Sequence, residues 1–332
     1  MLRVAVIGLG SIAPVHLDAI RAGGRAQLVA VCDRDAARKK PLWGDTPFYT
    51  DYERMLDAVR PDVVHICLPH HLHVPATVAA VSRGCHVLTE KPVARTCCEA
   101  EQLLGLEEKY GVRIGVCFQN RYNATSELLA TLLRDGGCGR VTGLRGLVHW
   151  HRPLSYYQES PWRASMATAG GGCMMNQAIH TIDLVQWLAG SAITTVTGMI
   201  GNLLDYGLEV EDTASALIAF ENGAKGFVDM TVACYRDTEV QLEIQCESGR
   251  YIIRDKALYQ VCDGAARQLV CDGSGAVGKD CYGSSHAKLI DRFYGTVLGL
   301  CEDYITVADA LVSLRIIEAV RKSSQTGTSL GL

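Results

Sequence analysis

The feature that most narrows what this chain can become lies at its start. A nearly continuous apolar run, Arg3-Val4-Ala5-Val6-Ile7, stops at Gly8-Leu9-Gly10-Ser11-Ile12-Ala13, and a helical pattern runs from Pro14 to Ala22. An uninterrupted apolar strand is buried on both faces, as parallel strands are. Gly-x-Gly-x-x-Ala at a strand-to-helix joint has a physical meaning. Gly8 permits a tight turn, Gly10 lets the backbone approach a pyrophosphate, and Ala13 is small enough for close helix–strand packing. Ser11 and Ile12 complete the turn. The next strand, Gln27 to Cys32, ends in Asp33, about 20 residues past the glycines, where a carboxylate accepts the ribose hydroxyls. Arg34 follows and could stack on adenine or meet a 2′-phosphate. Asp33 thus points to NAD, and Arg34 leaves NADP open.

The pattern repeats. A helix over 51–59 closes at Arg60-Pro61, and a buried strand covers 62–68. Pro69-His70-His71-Leu72-His73 leads into a helix over 74–83, and the strand His86-Val87-Leu88-Thr89 ends in Glu90-Lys91-Pro92. A helix over 96–110 and a strand over 112–118 follow. Strands alternating with helices give an α/β, doubly wound parallel sheet, so residues 1–120 read as a Rossmann dinucleotide-binding domain. Open α/β sheets bind ligands at the carboxyl ends of their strands. Leu68, Pro69, His70 and His73 are therefore placed over the cofactor. Three histidines in four residues suggest a metal, but no carboxylate or cysteine stands at suitable spacing, so none is assigned. A lysine at a strand end can donate to a substrate oxygen, and partial burial would lower its pKa toward working pH. Pro92 fixes the backbone beside it and is a candidate cis residue.

After Gln119-Asn120-Arg121-Tyr122 and a helix over 124–133, strands dominate: 141–151, 193–200, 213–220, 224–233, 240–246, 251–254 and 268–271. Glu221-Asn222-Gly223 and Glu247-Ser248-Gly249 read as hairpin turns. Residues 121–332 thus form an α+β domain with a mostly antiparallel open sheet, for substrate binding and oligomerisation. Helices over 285–298 and 307–322 close it, the last able to pack back on the first domain. Within this half, Gly170-Gly171-Gly172 precedes a helix in which Asn176, His180 and Asp183 fall at i, i+4 and i+7, on one face. A histidine on an apolar helix is most often a core residue. Here it has polar neighbours a turn away and lies near a helix start, whose dipole favours the neutral ring that a general base needs.

Composition sets outer limits. The length of 332 residues suits two domains. A net charge of −4 gives no attraction for nucleic acid or anionic lipid. No apolar run reaches the ~20 residues that span a bilayer. Met1 and Leu2 lead straight into a strand, without the pattern of a signal peptide. Fourteen scattered cysteines with no Cys-x-x-Cys read as free thiols of a cytoplasmic protein.

Together, Gly8-x-Gly10-x-x-Ala13, Pro69-His70-His71-x-His73, Glu90-Lys91-Pro92 and the Gly170-Gly171-Gly172 loop with Asn176, His180 and Asp183 resemble one family. It is that of the glucose–fructose oxidoreductases, inositol dehydrogenases and MocA-like oxidoreductases, and the resemblance covers the whole chain. Tyr156-Tyr157 and Trp162-Arg163 look like the branch that acts on sugars and nucleotide sugars. The resemblance implies an NAD(P)-dependent enzyme that interconverts a secondary alcohol and a ketone. The strands of the C-terminal sheet are rich in apolar residues, over 213–220 and at Val228, Met230 and Val232, so a face of that sheet is expected to be covered in a homodimer or homotetramer. Lys91 would hydrogen-bond the reacting oxygen, and His180 would carry the proton with Asn176 beside it. Cofactor contacts would extend to Glu90, Lys91 and Gln119 and, from the second domain, to Trp162 and Arg163. Arg121, Tyr156, Asn176, His180 and Tyr282 would face the substrate with Lys91. Inositol dehydrogenases carry Asp where this chain has Asn176, and an amide cannot share in proton transfer; inositol is disfavoured. The same resemblance admits an NAD-dependent glycoside hydrolase that acts by transient oxidation and elimination.

Overall fold

The computed structural model describes residues 1–39, 45–273 and 285–332. The chain forms two compact units, Met1–Gln119 with Gly275–Leu311 and Asn120–Ser274 with Val312–Leu332. In chain order the elements are β1 (Leu2–Ile7), α1 (Ala13–Ala22), β2 (Ala26–Cys32), β3 (Phe48–Tyr49), α2 (Tyr52–Val59), β4 (Val63–Ile66), α3 (His73–Val81), β5 (His86–Thr89), α4 (Cys97–Glu101), α5 (Leu106–Tyr110) and β6 (Ile114–Val116). There follow α6 (Ala124–Arg134), β7 (Val141–His149), α7 (Leu154–Gln158), α8 (Met166–Ala169), a π-helical segment Met174–Ala178, α9 (Ile179–Ala189), β8 (Ile193–Gly201), β9 (Thr213–Phe220), β10 (Lys225–Thr231), β11 (Gln241–Cys246), β12 (Gly249–Arg254), β13 (Ala257–Cys262), β14 (Ala265–Cys271), α10 (His286–Val297), α11 (Val307–Thr326) and β15 (Leu330–Gly331).

The first unit is a parallel sheet in the order β3-β2-β1-β4-β5-β6. Its central strands are buried at nearly every position, as their apolar runs require. The order reverses between β1 and β4, and at such a switch point the loops diverge and leave a crevice. Gly8–Ala13 follows β1, Leu68–His73 follows β4, and Glu90–Pro92 follows β5. Adjacent strands therefore deliver three separate sequence segments to one sheet edge. The helix expected over 96–110 is two helices, parted at Gly105, whose φ of 78° a helix interior cannot hold.

The second unit carries a nine-stranded sheet in the order β14-β13-β12-β11-β7-β10-β9-β8-β15. All its pairings are antiparallel except β7 with β10. β9 and β10 alternate buried and accessible residues, so one face packs inward while the other stays open. Helix α9 lies against β7 and β10 on the packed face. Strand β13 escapes a reading based on Asn-Gly turns. Its entry turn is Asp255-Lys256, with φ of 50° and 56°, residue types that carry no clear turn signal.

Candidate functional site

In the first unit the glycine turn is built as its spacing demands. Gly8 has φ 92°, and a Cβ there would stand 2.4 Å from the Cys67 carbonyl oxygen, so β1 and β4 could not lie this close with any side chain. Above Gly10 nothing lies within 4 Å, and Ala13 is fully buried. Helix α1 starts without a side-chain cap. Asp33 sits at the end of β2, accepting from the Leu9 amide at 2.8 Å and the Asp35 amide at 2.9 Å. Each carboxylate oxygen keeps a second lone pair for a ribose hydroxyl. An open backbone, an uncapped helix start and a carboxylate at the strand end fit a dinucleotide. Ser11 and Arg34 are exposed, and Ile12, Leu68 and Pro69 half-buried. The arginine that reaches the turn is Arg38, which donates to the Leu9 carbonyl at 2.8 Å and stands 3.7 Å from Asp33. Asp33→Ala should weaken NAD by about tenfold or more and NADP by less, because a carboxylate at this position would accept from a 2′-hydroxyl and would repel a 2′-phosphate. Fluorescence titration of both cofactors checks this. Equal loss would place the ribose on another group.

At the end of β5, Lys91 is half-buried, and the Lys91–Pro92 peptide is cis. The Lys91 amide donates to Glu90 Oε2 at 3.2 Å. His73 ties two of the loops together: its Nδ1 lies 2.7 Å from the Pro92 carbonyl and its Nε2 2.7 Å from that of Leu68. Two acceptors call for two N–H groups, but burial, the largest influence, holds its pKa below the ordinary histidine value. At neutral pH one contact thus carries the proton and the other is a close N···O approach. With both nitrogens so placed, any service of His73 to a cofactor runs through the loops it holds. His70 and Gln119 are buried as well.

Behind Glu90 lies a group of side chains that no local pattern in the sequence brings together. His16 Nε2 is 3.1 Å from Glu90 Oε1, and His286 Nε2 is 3.5 Å from the same oxygen. His16 Nδ1 meets His65 Nδ1 at 2.8 Å, and His65 Nε2 meets the Tyr294 hydroxyl at 2.9 Å. Burial alone would raise the Glu90 pKa, but the hydrogen bond with His16 and the close approach of the His286 ring take it well below the carboxylate range. Burial opposes charge on His16; Cys67 and Glu90 outweigh it and raise its pKa to about 9. His65 is driven well below the histidine range by burial, then by His16. Among the described residues, His16, Glu90 and His286 are also the one trio whose ligand atoms, all within 4.8 Å, could meet at an ion. As the rings stand, His16 and Glu90 form an ion pair, with His65 a neutral acceptor at Nδ1 and a donor to Tyr294.

In the second unit the glycine loop serves packing. A Cβ on Gly172 would stand 1.8 Å from the Glu211 carbonyl oxygen. The chain then enters the π-helical segment, held by Met174 N donating to Glu211 Oε1 at 3.2 Å. From Gly171 to Val185 every residue is buried except Asn176 and His180, both half-buried. Asp183 does not join them. It is 1% exposed and receives Arg121 Nε at 2.8 Å and Nη2 at 2.6 Å. The Arg121 guanidinium also lies 5.4 Å from the Trp187 ring, so its fork is engaged within this unit. Helical bonding begins before Met174, leaving His180 more than a turn from the start. The dipole argument for a neutral ring therefore fails, since that influence fades within one turn. Beside the π-helical segment, Gln177 Nε2 donates to the Tyr156 hydroxyl at 3.2 Å. Arg163 stacks 4.2 Å over the Tyr156 ring and 5.5 Å from Trp162. Tyr282 lies outside the described residues.

The missed residues left faint traces. His16 shares the buried side of α1 with Ala13, Leu17 and Ile20, a polar residue on an apolar face. Nothing local announced Arg38, His286 or Glu211.

Residues 2–118 match the oxidoreductase family with an NAD-binding Rossmann fold, and residues 127–252 match the GFO/IDH/MocA C-terminal domain. The chain is 29% identical to D-glucoside 3-dehydrogenase of Escherichia coli K12, over 100% of this chain and 97% of that protein. It is 30% identical to an inositol 2-dehydrogenase of Corynebacterium glutamicum, over 75% of this chain and 72% of that one. Among solved structures it resembles the WlbA dehydrogenase of Bordetella pertussis in complex with NADH and UDP-GlcNAcA, with a TM-score of 0.86 and 27% identity, covering 100% of this chain and 98% of that one. Two successive domain matches, in the order in which the two sheets occur, leave one conclusion: the chain belongs to the Gfo/Idh/MocA family and is an oxidoreductase with an NAD-binding Rossmann fold.

Proposed function

We propose that this protein interconverts a secondary alcohol and a ketone on a sugar, a sugar derivative or a nucleotide sugar. The observation that carries this is selective accessibility. The helix after the glycine loop buries everything through Val185 except Asn176 and His180, while Lys91 stands half-buried at the sheet edge beside the cofactor turn. A lysine, an imidazole and an amide are what a hydroxyl substrate needs. The dehydrogenation of glucosides and inositol by relatives, and the UDP-sugar bound by WlbA, support the substrate class.

In the direction of oxidation, Lys91 donates a hydrogen bond to the reacting oxygen, and His180 accepts the hydroxyl proton. Bound NAD supplies the hydride acceptor. Residues 1–120 hold the dinucleotide through Gly8, Gly10 and Asp33. Residues 121–332 bind the sugar, with Asn176 beside His180 and with Tyr156, Trp162 and Arg163 forming an aromatic and cationic wall. A panel of free sugars, glycosides and nucleotide sugars, followed at 340 nm, tests the reading. Net turnover of added NAD supports it, whereas glycoside cleavage without net NADH would replace it with a hydrolase.

His180→Ala should slow oxidation roughly tenfold to a hundredfold at alkaline pH. The wild-type rate should climb as the ring loses its proton, and the climb should vanish in the variant. The effect stays below the largest general-base losses because a half-exposed site lets water take the proton in part. A pH profile of kcat/KM, with circular dichroism on both proteins, decides it; an unchanged profile would leave His180 as a packing residue.

We also propose a cytoplasmic homo-oligomer. The thirteen described cysteines are all free thiols, as a reducing compartment keeps them. Among the described residues no helix is long and apolar enough to cross a membrane. On the open face of the second sheet, Leu217 is 50% exposed, directly opposite Phe227 at 40%, and Met199 is 63% exposed on the next strand. Apolar side chains in adjacent rows want a cover, and a two-fold partner is the simplest. Light scattering at micromolar concentration should give a dimer or tetramer, and a monomer rejects the idea.

A further inference from the structure

The buried cluster behind Glu90 has no part in the roles just assigned, yet it touches the residue next to Lys91. We propose that His16 and His286 are positioning residues: they clamp the Glu90 carboxylate, and through it they fix the backbone of Lys91 and the charge that its ammonium meets. This rests on the role given to Lys91 above.

The geometry is specific. Both imidazoles reach one oxygen of Glu90, at 3.1 Å and 3.5 Å, while the other oxygen accepts from the Lys91 amide. The carboxylate is thus held from behind by α1 and α10 and holds the catalytic strand end in front. Helix α1 is the helix that opens at the glycine turn. One hydrogen-bonded chain therefore joins the start of the cofactor cradle to Lys91. His16, His65, Glu90, His286 and Tyr294 are all buried, so the charges of this network are weakly screened.

The groups facing Glu90 and Lys91 come from every neighbouring element: His16 from α1, His65 and Cys67 from β4 and the turn after it, His73 from α3, Cys117 after β6, and His286 and Tyr294 from α10. The Lys91 charge is felt at His73 and at Cys117, as is that of Glu90. The cation that faces Glu90 is His16, whose pKa is raised to about 9 against burial by Cys67 first and then by Glu90. Lys91 therefore stands next in the chain to a compensated carboxylate, to which its amide donates. Removing the cation would leave the anion to hold the ammonium more firmly. Removing the carboxylate would release it.

The test reads the Lys91 pKa directly, without substrate. Competitive labelling of the whole protein with acetic anhydride across pH, with peptide mass spectrometry at Lys91, gives the titration. His16→Gln keeps a donor for Glu90 but loses the charge; it should raise the Lys91 pKa by at least about half a unit. Glu90→Gln should lower it. The order His16→Gln above wild type above Glu90→Gln is a readout that loosened packing would not produce. The same pKa in all three proteins overturns the proposal, as does a shift of one sign in both variants. If Glu90→Gln fails to fold, His16→Gln decides alone, and no rise overturns the proposal. One equivalent of zinc in the purified protein also overturns it, because the imidazoles would then offer lone pairs in place of protons. A wild type that turns over no sugar defeats the proposed function and leaves the labelling result standing.

Discussion

Lys91→Met is expected to bind NAD within about twofold of wild type and to lose at least a hundredfold in turnover, on the order of 2.7 kcal/mol of barrier. The expectation separates two services of one sheet edge. On the proposed reading the dinucleotide is gripped by Gly8 and Gly10 after β1 and by Asp33 after β2, whereas Lys91 follows β5, two strands from β1 in the sheet. Methionine keeps the length and apolar stem of the side chain, so the half-buried site stays filled. What disappears is the ammonium, and with it the only donor the residue can offer a substrate oxygen. Fluorescence titration with NADH and stopped-flow hydride transfer give the two numbers. Transfer within tenfold of wild type, under ~1.4 kcal/mol, would remove Lys91 from the chemistry. Loss of NADH binding in step with the rate would make it a cofactor residue instead.

Asp183→Ala is expected to cost roughly 3–5 kcal/mol of folding free energy, because it leaves the Arg121 guanidinium buried without its counter-charge. The pair is bidentate, and Asp183 also accepts from Gln186 Nε2 at 3.2 Å and lies 3.5 Å from Ser313 Oγ. For a unit of this size, each kcal/mol moves Tm by about 2–4 °C, so the midpoint should drop by roughly 6–20 °C. Arg121→Met with Asp183→Leu removes both charges and fills the space. That double variant should recover most of the loss, since apolar replacements of buried pairs are often neutral or better. Thermal scans of the wild type, the single and the double variant form the check. A double variant no better than the single would assign the cost to lost packing and not to the orphaned charge.

These two residues show where sequence reading carries and where it stops. Glu90-Lys91-Pro92 could be placed at a strand end because everything needed was local: an apolar run, a stop, and a helix signal beyond. The parallel order of the first sheet followed from the same alternation. Asp183 went astray for a different reason. Its spacing from His180 puts it near the same face of an α-helix, but spacing cannot say which way that face turns. Arg121, 62 residues earlier in the chain, settles it by drawing the carboxylate inward. The π-helical segment adds to the error, since it shifts Asn176 relative to the residues after it and no residue type marks such a segment. The His16 cluster shows the same limit more strongly, with partners 49 and 74 residues away on other elements. Hydrophobic period reports burial along one element; polar partnership across elements is decided by the assembled fold.

The course of the chain between its two units bears on how this protein can be divided. The first unit takes back the segment that contains α10, and α11 begins in that unit and ends in the other. A gene truncated after Gln119 would therefore encode every strand of the nucleotide-binding sheet and still lack part of its interior. His65 would lose the Tyr294 hydroxyl, Glu90 would lose one of its two imidazoles, and the space against Gly115 that the Phe293 ring fills would stand open. An exchange of the N-terminal sheet of this chain has to carry α10 with it; a single crossover in the middle of the gene separates residues that fold together.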